Sequence, residues 1–272
     1  MAHELQERYS ALLDAKLRQT LVTKDNLIFN TKYEGNPKAG VVKIPVRDTE
    51  VTVNDYDKAN GIGLEAGSTS YIDLVLSNDV AVNELIDGFD ATAVPDNVVA
   101  DRIDSAGYSL ALKLDKDSIT CLETQGTKAS DTAVIDETNA YAKIMKARTT
   151  LSRNGVPNAN RFLIASPELI EVIMQDDRFI KQGDLSQELV MAGVVGRIAG
   201  FNVFESCNMA ETTEFIAGHS DYCHRVEEWS VPVHVQDLAG SGKYIGASAV
   251  QGRKIYGVLV SKAKAVYVKA TA

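Results

Sequence analysis

Cysteine is scarce in this sequence: three residues, Cys121, Cys207 and Cys223, with no Cys-x-x-Cys pair. An odd, widely spaced set excludes a disulfide framework and suits buried thiols in a reducing compartment. No stretch approaches the run of roughly 20 apolar residues that crosses a bilayer, so no membrane partner is expected. Residues 1–8 lack a basic segment followed by an apolar one, so they do not read as a secretory signal. Aromatic residues make up only 7%, too few for a platform that stacks nucleic-acid bases. Basic charge is in deficit as well. Lys and Arg total 28 against 37 for Asp and Glu, giving a formal charge of -9 and a pI near 5.0. A protein that grips phosphates shows the opposite sign, and no strong Lys/Arg run is present.

Catalytic signatures are missing too. There is no Gly-x-Ser-x-Gly elbow. Gly61-x-Gly63-x-x-x-Gly67 has its third glycine one position late for a dinucleotide fingerprint and precedes a strand, not a helix. Gly193, Gly196 and Gly200 lack the Lys and hydroxyl residue of a phosphate loop. His219, Cys223, His224 and Cys207 could offer soft ligands, but their spacing matches no paired-ligand pattern. The acidic pairs Asp176-Asp177 and Glu227-Glu228 read as solvated faces, and the lone Trp229 reads as a surface or interface anchor. The expectation is a protein with no catalytic residues, no metal and no cofactor.

What is present is an ordinary globular balance, 45% hydrophobic and 24% charged over 272 residues, enough for two packed subregions. Leu5, Tyr9, Leu12, Leu13, Leu17 and Leu21 repeat near a 3.6 period, predicting a short amphipathic helix over 4–21. So thin an apolar stripe predicts an arm that packs on something other than its own core. Val42, Ile44 and Val46 alternate with polar residues, Thr49, Val51 and Val53 continue after a slip, and Ile72, Leu74 and Leu76 alternate again. These predict two hairpin strands of about ten residues, roughly 33 Å each, with Pro45 at an edge or bulge. The intervening 54–69, with Gly61, Gly63 and Gly67, predicts a tip with little to pack against. An isolated two-stranded ribbon is marginal in water and needs another surface, its own chain's or a neighbour's.

Residues 80–93 read as strand. Pro95-Asp96 opens a helix carrying Val98, Val99, Arg102, Ile103, Ala106, Leu110 and Leu114, expected to run to about 123 as a spine near 40 Å long. Residues 127–222 read as an α/β segment. A helix capped at Ser130 or Asp131 should reach Leu151, and a buried strand should cover 161–165. A helix starts at Ser166-Pro167-Glu168, a second helix or helical turn covers 185–198, and strands lie near 200–204 and 214–218. From 221 onward strands return around Val231–Val233–Val235, 255–260 and 265–269.

This order of parts resembles the major capsid protein of tailed bacteriophages, the Hong Kong 97-type fold. The local likeness is carried by Gly196-Arg197-Ile198-Ala199-Gly200-Phe201-Asn202-Val203-Phe204-Glu205-Ser206 and by Asn160-Arg161-Phe162-Leu163-Ile164-Ala165-Ser166-Pro167. The resemblance implies an α+β chain with an N-terminal arm (1–34), an extended loop (35–78), a peripheral domain (79–126 and 223–272) and an axial domain (127–222). It implies pentamers and hexamers of identical copies forming an icosahedral shell around packaged double-stranded DNA, which is held without sequence-specific binding. The portal protein would occupy one vertex, and a decoration protein is a further possible partner. The sequence opens near the arm, without a long helical segment that could act as built-in scaffold, which implies a separate scaffolding protein. The contacts between copies are expected at Leu12, Lys43, Arg47, Lys58, Glu65, Tyr71, Asp73 and Trp229. Some members crosslink through Lys and Asn; Lys58 is a conceivable donor, but no acceptor is placed and no crosslink is expected. The competing readings are an encapsulin-type compartment of the same fold holding an enzyme cargo, and an α/β hydrolase using His219, His224 or His234.

Overall fold

The computed structural model describes residues 16–23, 26–33, 40–46, 50–64, 67, 69–93, 98–175, 194–240 and 242–271. In chain order the elements are β1 (Val41–Val46), β2 (Ser70–Val75), β3 (Asn78–Ile86), α1 (Gly88–Ala93), α2 (Val98–Gln125), β4 (Thr127–Lys128), α3 (Ala140–Arg153), β5 (Arg161–Ala165), α4 (Pro167–Gln175), β6 (Val194–Ile198), β7 (Phe201–Glu205), β8 (Thr213–His219), β9 (Cys223–Asp237), β10 (Ser248–Val260) and β11 (Val266–Ala270). They form three sheets: the ribbon β1-β2, a three-stranded sheet β3-β10-β9, and a six-stranded sheet β4-β11-β8-β5-β7-β6.

The three-stranded sheet is antiparallel throughout, with long strands β9 and β10. The spine helix α2, 28 residues and about 42 Å long at 1.5 Å per residue, lies on one face. Val82, Ile86, Val99, Ile103, Ala106, Val233 and Val250 form the seam between them. Further along, the buried Tyr256 hydroxyl donates to Asp117 Oδ2 of α2 at 2.6 Å. The six-stranded sheet is covered on both faces, which is why β5 is buried at every position. Leu163 and Ala165 point into a core with α3 and α4. Phe162 and Ile164 point into a second core with Ile119 and Leu122 of α2. Arg161 at the head of β5 is buried, donating to the carbonyls of Val156 (2.6 Å) and Pro157 (2.7 Å) and to Ser152 Oγ (3.2 Å), so it closes the loop after α3. Ala199 and Gly200, both at positive φ, make the two-residue turn between β6 and β7.

Several expectations change. The ribbon strands are six residues each, not about ten. Val51 and Val53 keep the alternating pattern but have no surface to cover them. The strand expected over 80–93 stops at Ile86 and gives way to α1. The helix expected from 130 or 131 begins only at Ala140. The Asp136 carboxylate accepts from the Thr138 and Asn139 amides, while Lys269 Nζ donates to the Ala133 carbonyl and Glu214 accepts from the Ile135 amide. These bonds hold 133–139 as a loop on the sheet. Residues 194–198, expected to end a helix, are strand β6; 176–193 lie outside the described residues. Residues 94–97, the expected start of the spine helix, and 1–15, most of the expected arm helix, also lie outside them, and 16–21 are not helical.

One correction concerns the layout. Against the expectation for the arm, Val22, Ile28 and Phe29 are buried in the chain's own core with Ile119, Leu122, Cys223 and Val260. Within the 223–272 segment, β11 joins the six-stranded sheet between β4 and β8, while its Val266 and Val268 pack beside Ile119 and Leu122 of the spine helix.

Candidate assembly surfaces

The ribbon is two-faced. Alternation sends Ile44, Val46 and Leu74 inward, where they pack with Val226 of β9 and with the half-buried Tyr33 and Leu259. The opposite face carries Val41, Lys43, Pro45, Tyr71, Asp73 and Val75, all exposed. Pro45, opposite Tyr71, sits in a two-stranded sheet in which both strands are edges, as a residue without an amide donor requires. Lys43 and Asp73 are cross-strand partners, their charged ends 3.9 Å apart and open to solvent. Two of the expected contact residues thus meet each other, in a pair worth at most about 1 kcal/mol.

Beyond the strands the tip is uncovered. Val51 is 90% exposed, Val53 94%, Tyr56 71% and Leu64 105%. One local knot holds it. The Gly61 amide donates to the Asp57 carbonyl at 2.8 Å, and the Asp57 carboxylate accepts from the Ala59 amide (2.8 Å) and Asn60 Nδ2 (2.6 Å). The Ala59 amide first, then Asn60, holds that carboxyl below the usual aspartate range. Lys58 lies exposed within this turn. Leu12, Arg47 and Glu65 lie outside the described residues. Trp229 pairs with Ile255 in the β9–β10 ladder, and its side chain lies outside the described residues. The exposed apolar positions Val51, Val53, Ile62 and Leu64 were not among the expected contacts. Their signal in the sequence was an alternation with no second strand to complete it.

The arm has a tight and a loose part. The tight part is sewn to β9: Asn30 donates its amide to the Cys223 carbonyl (2.9 Å) and accepts at its carbonyl from the Arg225 amide (3.1 Å). The Asn30 side chain donates to the Ser220 carbonyl (2.8 Å), which turns its oxygen toward His224 Nδ1 at 3.0 Å. His224 Nδ1 is therefore the protonated nitrogen. Thr23 donates amide and hydroxyl to Asp115 Oδ1, both at 2.8 Å, and receives Arg225 Nη1 on its carbonyl at 2.7 Å. The loose part, residues 16–19, is exposed and lies along α2 through the ion pairs Lys16–Asp101 and Arg18–Asp104 and a bond from the Gln19 amide to the Tyr108 hydroxyl.

The histidines are dispersed in role. His219 Nδ1 accepts from the Asp221 amide at 3.1 Å, His224 is engaged with Asn30, and His234 is exposed beside the Pro232 carbonyl. His234 lies about ten residues further along β9 than His224, on the order of 33 Å in an extended strand. Burial pushes the Cys121 thiol up to about 11 and Cys223 higher still, so neither is a nucleophile at neutral pH. Among the described residues, no three His, Cys, Asp or Glu side chains form a group that could hold a metal ion.

A family model described as phage capsid protein matches residues 79–268, from β3 into β11. No curated protein matches the chain. The solved structures it resembles include one from Mycobacterium phage Che8, 25% identical, with a TM-score of 0.78 over 97% of this chain and 96% of that one. The capsid of cyanophage P-SCSP1u is 11% identical, with a TM-score of 0.77 over 98% of this chain and 93% of that one. The mature capsid of bacteriophage PhiM1 is 12% identical, with a TM-score of 0.72 over 98% and 92%. At the last two identities the likeness is one of fold. The family match takes in well over half of the sequence, and the structural likeness extends over the ribbon and arm as well: the chain belongs to the phage capsid protein family, a virion structural subunit with the Hong Kong 97-type fold.

Proposed function

We propose that the subunit assembles as pentamers and hexamers into the icosahedral shell of a tailed bacteriophage enclosing double-stranded DNA, and that the outer face and tip of the ribbon lie on neighbouring copies. The observation that carries this is the uncovered ribbon. Its outer face and its tip expose Val41, Val51, Val53, Tyr56, Leu64, Tyr71 and Val75, whereas apolar side chains on the rest of the body are mostly buried. Contiguous exposed apolar surface on a stable protein marks an interaction site. Many modest contacts spread over extended segments let a misplaced subunit leave before the shell closes.

In this reading Lys43, Lys58, Tyr71 and Asp73, with Arg47, Glu65, Leu12 and Trp229, are contacts between copies. Residues 1–34 are the arm, 35–78 the extended loop, 79–126 with 223–272 the peripheral domain, and 127–222 the axial domain, whose sheet β11 joins. A scaffolding protein guides assembly in the host cytoplasm, a portal fills one vertex, and a decoration protein can add to the outside. The shell carries no turnover of its own. A formal charge of -9 suits a wall that must not adhere to its DNA. The test is to remove residues 54–69 and image the protein, with and without a scaffolding partner. The shortened chain is expected to stay folded and soluble and to give few or no shells. Shells formed at the normal yield would sink the role given to the ribbon.

A further inference from the structure

On its β2 side the ribbon is joined to the body by two residues, Leu76 and Ser77, which lead into β3. The Leu76 amide donates to the Gly40 carbonyl at 3.0 Å, so the ribbon's pairing reaches into this joint. Directly beneath it runs β10. At Tyr256 that strand is pinned from the other side, because the Tyr256 side chain is fully buried and its hydroxyl is bonded to Asp117 of α2. The next residue faces the ribbon, and it is Gly257. A Cβ there would stand 2.5 Å from Leu74 Cδ2, 2.7 Å from the Val75 carbonyl oxygen and 3.2 Å from Leu76 Cδ2. The leucine ends could swing away, but the Val75 oxygen is backbone and moves only if the ribbon moves. Nor can β10 retreat, with Tyr256 anchored and Gly257 paired to the buried Val226 of β9.

We propose that Gly257 is a positioning residue for assembly: its missing side chain forms the seat on which the ribbon's joint rests and so sets the direction in which the ribbon leaves the body. The proposal deepens the reading of the ribbon as a contact between copies and rests on it. Any side chain at 257 wedges the joint upward and re-aims the tip, and the displacement grows with distance along the ribbon. The strand itself has another glycine for comparison. Gly252 lies on the α2 face, where the three atoms nearest a Cβ would be Val233 Cγ2 at 2.9 Å, Leu110 Cδ1 at 3.2 Å and Val233 Cα at 3.5 Å, none of them in the ribbon.

The experiment compares Gly257→Ala with Gly252→Ala in the full chain. Amide hydrogen exchange is read on the unassembled subunit, and the yield of closed shells is read by electron microscopy. For Gly257→Ala, exchange in 40–46 and 70–76 should rise at least tenfold while α3 and β5 stay protected, and closed shells should fall at least tenfold in favour of open or irregular assemblies. Gly252→Ala should leave exchange in the ribbon unchanged. Unchanged ribbon exchange in Gly257→Ala, or an equal rise in Gly252→Ala, overturns the seat. Raised ribbon exchange with a normal yield of shells leaves the seat standing and overturns the intersubunit role of the ribbon. If Gly257→Ala does not accumulate as folded protein, Leu76→Ala, which strips the half-buried side chain above the glycine, should raise ribbon exchange in the same way. No rise in that variant counts against the seat.

Discussion

His224 shows how one buried side chain ties distant parts of the chain together. It is nearly inaccessible, held between Asn30 of the arm and the edge-on ring of Tyr33, and burial pushes its pKa down to about 4. The charges around it are Lys32, which lowers it further, and Asp221, which raises it slightly. His219, on the preceding strand, is also lowered, chiefly by burial. The folded state thus favours neutral rings, while the unfolded chain takes up protons near pH 6.5. The stability these rings contribute is present above that value and is lost as pH falls below it, for His224 down to about 4. For His224 alone the loss is on the order of 3 kcal/mol. Urea unfolding at neutral and acid pH should show it, and His224→Gln should flatten the slope. An unchanged slope would mean that the ring is not held neutral. None of this was legible in the sequence, where His219, Cys223 and His224 raised only the question of a metal. The arm residue that fixes the tautomer stands 194 positions away. The same holds for Lys269, a charged residue inside an apolar run, whose amine donates to the Ala133 carbonyl 136 positions away and pairs with the Glu214 carboxylate.

Elements were easier to read when their signal lies within the segment itself. β5 runs over the residues expected of it, and α4 begins at the Ser166-Pro167-Glu168 start, with Ser166 Oγ accepting from the Leu169 amide. The spine helix was legible from its spacing, and it runs through Gly107 without a break. The ribbon was legible as a hairpin but not in its length, because periodicity records which residues could face a surface, not whether a surface is there. Two glycines of the spine region separate propensity from packing. A Cβ at Gly107 meets nothing within 4 Å, so Gly107→Ala should stabilise the protein by about 0.5–1 kcal/mol. At Gly126 a Cβ would meet the Leu122 carbonyl and Val268 at 2.7 Å and Val266 at 2.9 Å, so Gly126→Ala should cost about 1–3 kcal/mol. Calorimetry on the two variants should move the melting temperature in opposite directions. A fall in both would show that α2 tolerates no added volume at Gly107 either.

At the scale of the whole subunit, charge and topology matter most. With a formal charge of -9, identical copies repel one another. Shell formation followed by light scattering should therefore quicken as sodium chloride is raised from low to moderate ionic strength, where screening shortens the reach of that repulsion. Much higher salt should bring less further gain, since the ion pairs that lay residues 16–18 along α2 are exposed and are screened too. A rate that falls steadily from the lowest salt would mean that attraction between opposite charges, not apolar burial, drives assembly. Sequence order alone could not show how the halves interlock: Val22, Ile28 and Phe29 fill a core whose other walls include residues 223, 260, 266 and 268. That closure has a consequence for biosynthesis. While a polypeptide is still tethered to its ribosome and residues 223–268 are unmade, the early segment has no pocket to enter, and the strands β9 and β10 beneath the ribbon do not exist. Closure of that core, and with it the finished monomer, is thereby postponed until translation has passed that region.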